Sequence, residues 1–406
     1  MDNENLLNRF IEYTKINTQS NPNSESIPSS PNELDLIKLL EKQLKEWNLD
    51  VKVDQYGYLT LLIKANTSKK VPAIGFLAHC DTAPDYSGAN VNAQVIKNYQ
   101  GQDIPFKDGD KLSAEQFKDL NNYLNQTIIC TDGTTLLGCD DKGGIAIIME
   151  AIKYFIDNPE IEHGDIYIAF TLDEEVGTGV DHFDLANFKP DFAYTIDGEE
   201  LGEFNYETFN AAALSITFKG LNVHPGNAKN VMINSMEKAL QFHSKLPAFE
   251  KPEYTEKYEG FYMLNNIEGN VEKTTMNYII RDHSKELFEY RKNVILKIIE
   301  ECQKNDVNFN VEYDLKDQYY NMAEKVKEKQ IALDLALKAY ELNNVKANVK
   351  AIRGGTDGSK LSFKGIPCPN IFTGAHNLHG KYEYACLESM AKARDIIIDI
   401  IKLACT

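Results

Sequence analysis

Three short apolar segments, separated by stretches with helical periodicity, constrain the fold of this chain more than any other feature. Residues 71–79 (VPAIGFLAH), 165–171 (DIYIAFT) and 192–196 (FAYTI) are apolar on both faces, as are strands that are covered on both sides. Between the first two, residues 142–155 repeat apolar side chains at intervals of three and four, which is typical of a helix. Strands of this kind alternating with helices predict an α/β fold with a largely parallel sheet flanked by helices.

The pattern changes near residue 213, where the alternating segment ALSITFKG indicates a half-buried strand. Helix, strand, strand, helix and strand patterns follow at residues 229–246, 261–269, 274–282, 286–304 and 307–315. The order β-α-β-β-α-β is that of a small split-βαβ layer. A chain of 406 residues is also too long for one ordinary core. We therefore expect a main domain formed by residues 1–212 and 322–406, with an inserted lid domain at residues 213–321.

Charge and cysteine usage narrow the expected partners and compartment. The chain has 43 Lys and Arg against 61 Asp and Glu, a net charge of −18, which disfavours nucleic acid and anionic membranes as partners. The N-terminus lacks the basic start and apolar block of a signal peptide, and no apolar run is long enough to span a bilayer. Seven scattered cysteines without a CxxC motif indicate a reducing compartment, so we expect a cytoplasmic protein.

Side chains that bind metals follow the predicted strands and occur again near the C-terminus. The segments are AHCDT (78–82), LGCDDKGG (137–144), LDEEVG (172–177), TIDGE (195–199) and NLHGK (377–381). The carboxyl ends of parallel strands meet at one edge of the sheet, where ligands bind in open α/β folds. Each segment alone has an ordinary explanation, such as helix capping or a solvated charge run. Together they supply two imidazoles and several carboxylates, the mixed ligand set of a catalytic metal site.

The spacing within these segments suggests how such a site is built. Side chains alternate along a strand, so His79 and Asp81 share a face and the acid can orient the imidazole. The three acids after residue 172 repel one another unless cations or protons neutralise them. A two-metal hydrolase needs a carboxylate that bridges the ions and another that transfers the proton. The residues alone do not distinguish Glu174 from Glu175 for the second role.

The ordered set AHCDT, TLLGCDDKGG, LDEEVG, TIDGE and NLHGKYE resembles the metal and catalytic motifs of the M20 family of metallopeptidases. The resemblance is narrowed to the tripeptide-cleaving branch of the family by four stretches, YTKINTQSNP (13–22), NVHPGNAKNVMIN (222–234), NYIIRDH (277–283) and AIRGGTDGSKLSF (351–363). It covers nearly the whole chain. It implies an aminopeptidase that holds two Zn²⁺ ions per chain and uses a zinc-bridged hydroxide to release the N-terminal residue of tripeptides. The main domain would be catalytic, and the lid domain would also support a homodimer.

The resemblance also implies a role for individual residues. The zinc ligands would be His79, Asp140, Glu175, Asp197 and His379. Asp140 rather than Asp141 would bridge the two ions, because the family pattern is Asp-x-Lys-Gly. Asp81 would orient the site, and Glu174 would be the general base and acid.

Three further residues are candidates for substrate binding. Arg281 and Arg353 suit the C-terminal carboxylate of a short peptide, since a guanidinium pairs well with a carboxylate. His224 would help to hold the reacting carbonyl oxygen, as the resemblance implies. One alternative is an M20 deacylase or dipeptidase that acts on N-acyl amino acids or dipeptides. Another is a catalytically silent metal- or peptide-binding protein, which would not need an unligated acid at Glu174.

Overall fold

A computed structural model describes residues 3–406, which form two compact units. The first unit comprises the chain up to Tyr206 together with Met322–Lys350 and Thr356–Thr406. The second comprises Glu207–Asn321 and Ala351–Gly355. The second unit begins before the change of pattern at residue 213 and takes in part of the Gly-rich turn at residues 351–355. Its function as a lid stays a prediction.

The helices are α1 (Asn3–Thr14), α2 (Glu33–Glu46), α3 (Cys139–Asp157), α4 (Ser235–His243), α5 (Lys285–Asn305), α6 (Ala323–Lys327), α7 (Gln330–Leu342), α8 (Asp357–Phe363) and α9 (Leu387–Leu403). The strands are β1 (Val51–Val53), β2 (Leu59–Ile63), β3 (Ile74–His79), β4 (Gln94–Ile96), β5 (Ile104–Pro105), β6 (Lys111–Leu112), β7 (Ile128–Cys130), β8 (Ile166–Thr171), β9 (Phe192–Gly198), β10 (Glu203–Asn205), β11 (Asn210–Lys219), β12 (Phe261–Gly269), β13 (Lys273–Asp282), β14 (Asn310–Tyr319), β15 (Asn348–Val349), β16 (Asn370–Phe372), β17 (Ala375–His376) and β18 (Tyr384–Cys386).

The first unit is organised around an eight-stranded sheet with the order β1-β2-β8-β3-β9-β16-β10-β15. Its centre, β8-β3-β9-β16, is parallel, and β3 is buried at every position. Helix α3 packs against β3 and β9 on one side and contacts α1 and α9 on the other. The apolar character of β3 on both of its faces is consistent with its burial at every position. The prediction of an α/β fold with a largely parallel sheet is therefore confirmed.

The sheet brings the ends of three neighbouring strands to one edge. In the parallel pairing of β3 with β8, His79 lies opposite Thr171, the residue just before the acidic segment 172–175. On the other side of β3, Leu77 lies opposite Thr195, two residues before Asp197. The sequence positions after these three strands therefore meet at the same edge, as the pattern of apolar segments indicated.

A smaller sheet in the first unit, with the order β17-β18-β7-β4, presents the last candidate segment. Strands β17 and β18 are antiparallel, and His376 pairs with Tyr384. The turn between them contains His379, whose φ of 65° is in the left-handed region. His379 thus comes from a different sheet than His79, although both belong to the first unit.

The second unit is a four-stranded antiparallel sheet with the order β12-β13-β11-β14, packed against α4 and α5. The β-α-β-β-α-β order is as the sequence pattern indicated. The helix predicted at residues 229–246 is too long, because the structure has a helix only over Ser235–His243. Asn230 adopts a positive φ of 62°, and the Asn234 side chain caps the helix by accepting from the N–H of Met236 at 3.0 Å.

Over residues 3–406, none of the helices combines the length and the apolarity that crossing a bilayer requires.

Candidate metal centre

His79 stands at the centre of a group of carboxylates. Its ring Nε2 lies 2.9 Å from Oδ1 of Asp140 and 3.5 Å from Oδ1 of Asp197. Two ligand atoms at about 2.1 Å from a tetrahedral ion are about 3.4 Å apart. The observed spacings are therefore those of side chains that can share one ion. His79 itself is only 3% exposed, so its ring has little freedom to turn away.

Asp81 fixes both the imidazole and the acidic segment after β8. Nδ1 of His79 lies 3.1 Å from the backbone carbonyl oxygen of Asp81 and 3.3 Å from its Oδ1. The same carboxylate accepts hydrogen bonds from the backbone N–H groups of Glu174 and Glu175, each at 3.0 Å. Asp81 is fully buried, so this arrangement is rigid. These contacts suit a residue that orients the ring of a metal-binding histidine through the ring nitrogen that does not bind the metal.

Asp140 lies between the two imidazoles. While Oδ1 faces His79, Oδ2 is 3.1 Å from Nε2 of His379. Nε2 of His379 is also 3.2 Å from Oε2 of Glu175. One carboxylate with an imidazole at each oxygen is the arrangement expected of a bridge between two ions.

Two groups of side chains in residues 3–406 have ligand atoms that all lie within 4.8 Å of one another. One consists of His79, Asp140 and Glu175, and the other of His79, Asp141 and Asp197. Asp141 differs from Asp140 in that its oxygens accept from the backbone N–H groups of His79 and Gly144, each at 3.2 Å. Neither group includes a cysteine, and Cys80 and Cys139 are both buried.

The electrostatics of the group favour a cation. Burial, reinforced by neighbouring carboxylates, raises the pKa of both Glu174 and Glu175 well above the usual range. Burial likewise raises the pKa of Asp197 to about 7. Burial alone would also raise the pKa of Asp140, but the two imidazoles hold it below its usual range. So many acids in one buried place repel one another, and a divalent ion removes that repulsion.

Glu174 belongs to neither ligand group, although it is adjacent to Glu175 on the same segment. Its backbone is held by Asp81, and its side chain is only partly exposed. Asp197, Asp357 and Asp81 act together with burial to raise its pKa. A carboxylate beside a ligand set, but outside it, is in a suitable place to take up a proton.

Two buried carboxylates near the ligands were missed by the sequence analysis. Glu383 accepts hydrogen bonds from the N–H groups of Leu137 at 2.7 Å and Cys139 at 2.6 Å. Burial raises the pKa of Glu383 to about 7, although these N–H groups favour its charged form. Asp357 accepts from Oγ1 of Thr171 at 2.7 Å, and burial raises its pKa to about 6. The only sequence signal was that Glu383 ends the NLHGKYE motif and Asp357 lies in the RGGTDG turn.

The three predicted substrate-binding residues all lie in the second unit. His224 is exposed, and its Nδ1 accepts from the N–H of Gly226 at 3.1 Å. Arg281 donates from one guanidinium nitrogen to the carbonyls of Ala212 at 3.1 Å and Ile280 at 3.0 Å. Its guanidinium also lies 5.5 Å from the centre of the Tyr319 ring.

Arg353 is held more completely than a surface arginine would be. Its NH1 donates to the carbonyl oxygens of Lys257 at 2.7 Å and Glu259 at 2.9 Å. Its guanidinium also lies over the rings of Phe209, at 5.1 Å, and Phe261, at 5.7 Å. A substrate carboxylate at Arg353 would therefore compete with backbone carbonyls for the same donors.

Comparison with known proteins gives matches that agree with one another. The profile of peptidase family M20/M25/M40 matches residues 129–403. Peptidase T of a Geobacillus species (strain WCH70) is 50% identical over 406 residues, covering 99% of both chains. The crystal structure of aminopeptidase PepT from Bacillus cereus aligns with a TM-score of 0.78 at 21% identity, covering 100% of both chains. A tripeptidase from Staphylococcus aureus aligns with a TM-score of 0.77 at 21% identity, covering 100% of this chain and 99% of that one.

Proposed function

The chain belongs to peptidase family M20, and from that membership we propose that it is a dizinc aminopeptidase that releases the N-terminal residue of tripeptides. The observation that carries the proposal is the position of Asp140, whose two oxygens face the imidazoles of His79 and His379. The tripeptide preference is supported by the full-length similarity to peptidase T and by the fold shared with a tripeptidase.

The ligand set fits zinc. Imidazole nitrogens and carboxylate oxygens are both common ligands of this ion, and catalytic sites leave a position open to water. In the proposal, His79 and Asp197 would hold one ion, His379 and Glu175 would hold the other, and Asp140 would contribute to both. When bound, the ions would supply Lewis acidity and a water molecule of lowered pKa.

The residues around the ions have distinct proposed tasks. Glu174 takes the proton from the attacking water and passes it to the leaving amine, because it is an acid outside the ligand groups. Asp81 keeps the ring of His79 turned toward the carboxylates and holds the backbone of Glu174 and Glu175. Bond cleavage then needs no covalent intermediate with the protein.

In this proposal the protein recognises the C-terminal carboxylate and the scissile carbonyl of the substrate. Arg281 and Arg353 bind the C-terminal carboxylate, and His224 stabilises the carbonyl oxygen of the scissile bond. To bind the carboxylate, Arg353 would exchange its hydrogen bonds to the carbonyl oxygens of Lys257 and Glu259 for bonds to the substrate.

The deciding experiment is product analysis on the zinc-loaded protein. A tripeptide with three different residues is incubated, and the first products are identified by mass spectrometry over time. The proposal expects the free N-terminal amino acid and the C-terminal dipeptide. The N-acetylated form of the same tripeptide is the control substrate, and the Glu174→Gln variant is the control protein.

Three outcomes would contradict the proposal. Faster cleavage of the acetylated peptide would identify a deacylase. Release of the C-terminal residue first would identify a carboxypeptidase. Binding of the tripeptide without turnover, equal in wild type and Glu174→Gln, would identify a binding protein.

A further inference from the structure

Glu383 is a buried carboxylate that accepts hydrogen bonds from consecutive backbone N–H groups. It is only 1% exposed. Its Oε2 accepts from Leu137 at 2.7 Å and Gly138 at 2.9 Å. Its Oε1 accepts from Cys139 at 2.6 Å and lies 3.4 Å from the N–H of Asp140. Both oxygens are therefore surrounded by donors.

The shape of the segment before Asp140 depends on such an acceptor. Gly138 has a φ of 78°, which turns consecutive N–H groups toward the same point. The helical assignment of α3 starts at Cys139, but Asp140 and Asp141 have non-helical dihedral angles. The first N–H groups of a helix have no partner within it and need an acceptor from elsewhere. Glu383 supplies that acceptor, with a negative charge at the positive end of the helix.

The backbone of Glu383 is connected to the turn beside His379, one of the two imidazoles that face Asp140. Its N–H donates to the carbonyl of Gly380 at 3.1 Å, which closes a four-residue turn that directly follows His379. His379 and Asp140 are 239 positions apart in the chain, yet their side chains are 3.1 Å apart. One residue thus holds the turn that follows His379 and, through its carboxylate, the backbone that leads into Asp140.

We propose that Glu383 is a positioning residue that sets the distance between His379 and Asp140, and with it the geometry of the metal pair. This inference rests on the proposed two-metal hydrolysis. If Glu383 were only a helix cap, its loss would lower stability and leave metal affinity and turnover of the folded protein unchanged.

The variant Glu383→Gln tests this directly. Glutamine keeps the shape of the side chain but replaces one acceptor oxygen with an NH₂ donor. Whichever way the amide is turned, this donor faces the N–H groups of Leu137 and Gly138 or that of Cys139. The clash shifts the segment that leads into Asp140.

Glu388→Gln is the matched control. Glu388 is a carboxylate five residues later that accepts from the N–H of Thr127 at 2.8 Å and from its Oγ1 at 3.0 Å. There a glutamine can accept from the N–H with its oxygen and donate to the hydroxyl with its nitrogen. This variant should match wild type in zinc affinity and turnover.

The readouts are zinc affinity by competition with a chromophoric chelator, kcat and KM on a tripeptide, and urea unfolding, all at about pH 8. Removing a partner that orients metal ligands typically lowers affinity or activity about 10- to 100-fold. We expect Glu383→Gln to lose zinc affinity and kcat to about that extent while KM changes less than about threefold. Folded Glu383→Gln with wild-type zinc affinity would overturn the proposal, as would an equal loss in Glu388→Gln.

The test stays decisive in two further cases. If wild type binds zinc but cleaves no tripeptide, the proposed function fails, and the zinc affinities of the variants still decide the role of Glu383. If Glu383→Gln does not fold, Glu383→Asp takes its place, since its shorter carboxylate cannot reach all of these N–H groups. Zinc affinity and kcat equal to wild type in Glu383→Asp would then overturn the positioning role.

Discussion

A buried histidine outside both ligand groups should make the first unit sensitive to mildly acidic pH. His376 is 6% exposed at the end of β17, and its Nε2 lies 2.6 Å from the hydroxyl of Tyr123. Its ring stacks on Tyr384 at 4.7 Å with an interplanar angle of 9°. Burial lowers the pKa of His376 to about 4, against a smaller raising effect of Asp119. The neutral ring shares a hydrogen bond with the hydroxyl of Tyr123.

The size of the effect follows from proton linkage. The folded pKa is about 4 and the ordinary value is 6.5, so the unfolded chain binds the proton first as pH falls. Stability is therefore unaffected above about pH 7 and is lost progressively as pH falls from 6.5 through 4. The loss attributable to this one group is about 2 kcal/mol at pH 5 and approaches about 3 kcal/mol below pH 4.

The assay is urea unfolding of metal-free wild type and His376→Gln at about pH 7.5 and about pH 5. Chelator is present in all samples, so that metal binding does not contribute to the difference. Glutamine offers Tyr123 an acceptor but does not titrate, and it lowers stability at both pH values because the ring packing is lost. Between the two pH values, however, the variant should lose about 2 kcal/mol less than wild type.

Tyr123→Phe is the control, because it removes the hydrogen bond and leaves the histidine buried. Its unfolding free energy should keep the steep pH dependence of wild type. Parallel pH dependence of wild type and His376→Gln would refute the reasoning, since it would mean that the pKa of His376 is not lowered by folding.

The remaining predictions concern the proposed reaction. Glu174→Gln should keep its zinc while its activity falls by at least about 10² to 10⁴, because positioned acid–base catalysis contributes that much. Glu175→Gln should instead lose one ion and regain part of its activity in excess zinc; the reverse pattern in metal analysis would exchange the two roles. Chelation should abolish activity and added zinc or cobalt should restore it, with two ions per chain after dialysis; full activity with one ion would contradict the two-metal assignment. Amidation of the tripeptide C-terminus should raise KM or lower kcat/KM if Arg281 binds the carboxylate, whereas equal turnover of amide and acid would argue against it.

The sequence predicted the central architecture because burial on both faces leaves a clear pattern. The segments predicted at residues 165–171 and 192–196 form the strands Ile166–Thr171 and Phe192–Gly198 for that reason. The helix predicted from residue 229 was wrong in its length. Apolar side chains continue through that stretch, but Asn230 and Asn234 favour a turn and a helix cap, and local backbone preference outweighs the apolar pattern there.

The parts of the candidate site that lie at strand ends could be predicted from the sequence. The parts that depend on contacts between residues far apart in the sequence could not. The convergence of His79, Asp197 and the acidic segment follows from the order of three parallel strands. The role of Glu383 depends on N–H groups more than 240 positions away, which no local pattern reveals. The choice between Glu174 and Glu175 depends on which carboxylate faces His379, and the individual roles stay predictions.

The origin of the two imidazoles in different sheets has a consequence for a cell that is short of zinc. Two metal ions that share Asp140 as a ligand would join the end of β3 to the β17–β18 turn. This link would be a reversible cross-link, comparable to a disulfide, that forms and breaks with the metal supply. At a free zinc concentration one hundred times Kd, such binding adds about 2.7 kcal/mol to stability. Zinc depletion would remove this cross-link and its contribution to stability, while the carboxylate of Glu383 would still tie the turn to the segment before Asp140. Metal supply would thereby set the stability of the first unit as well as its activity.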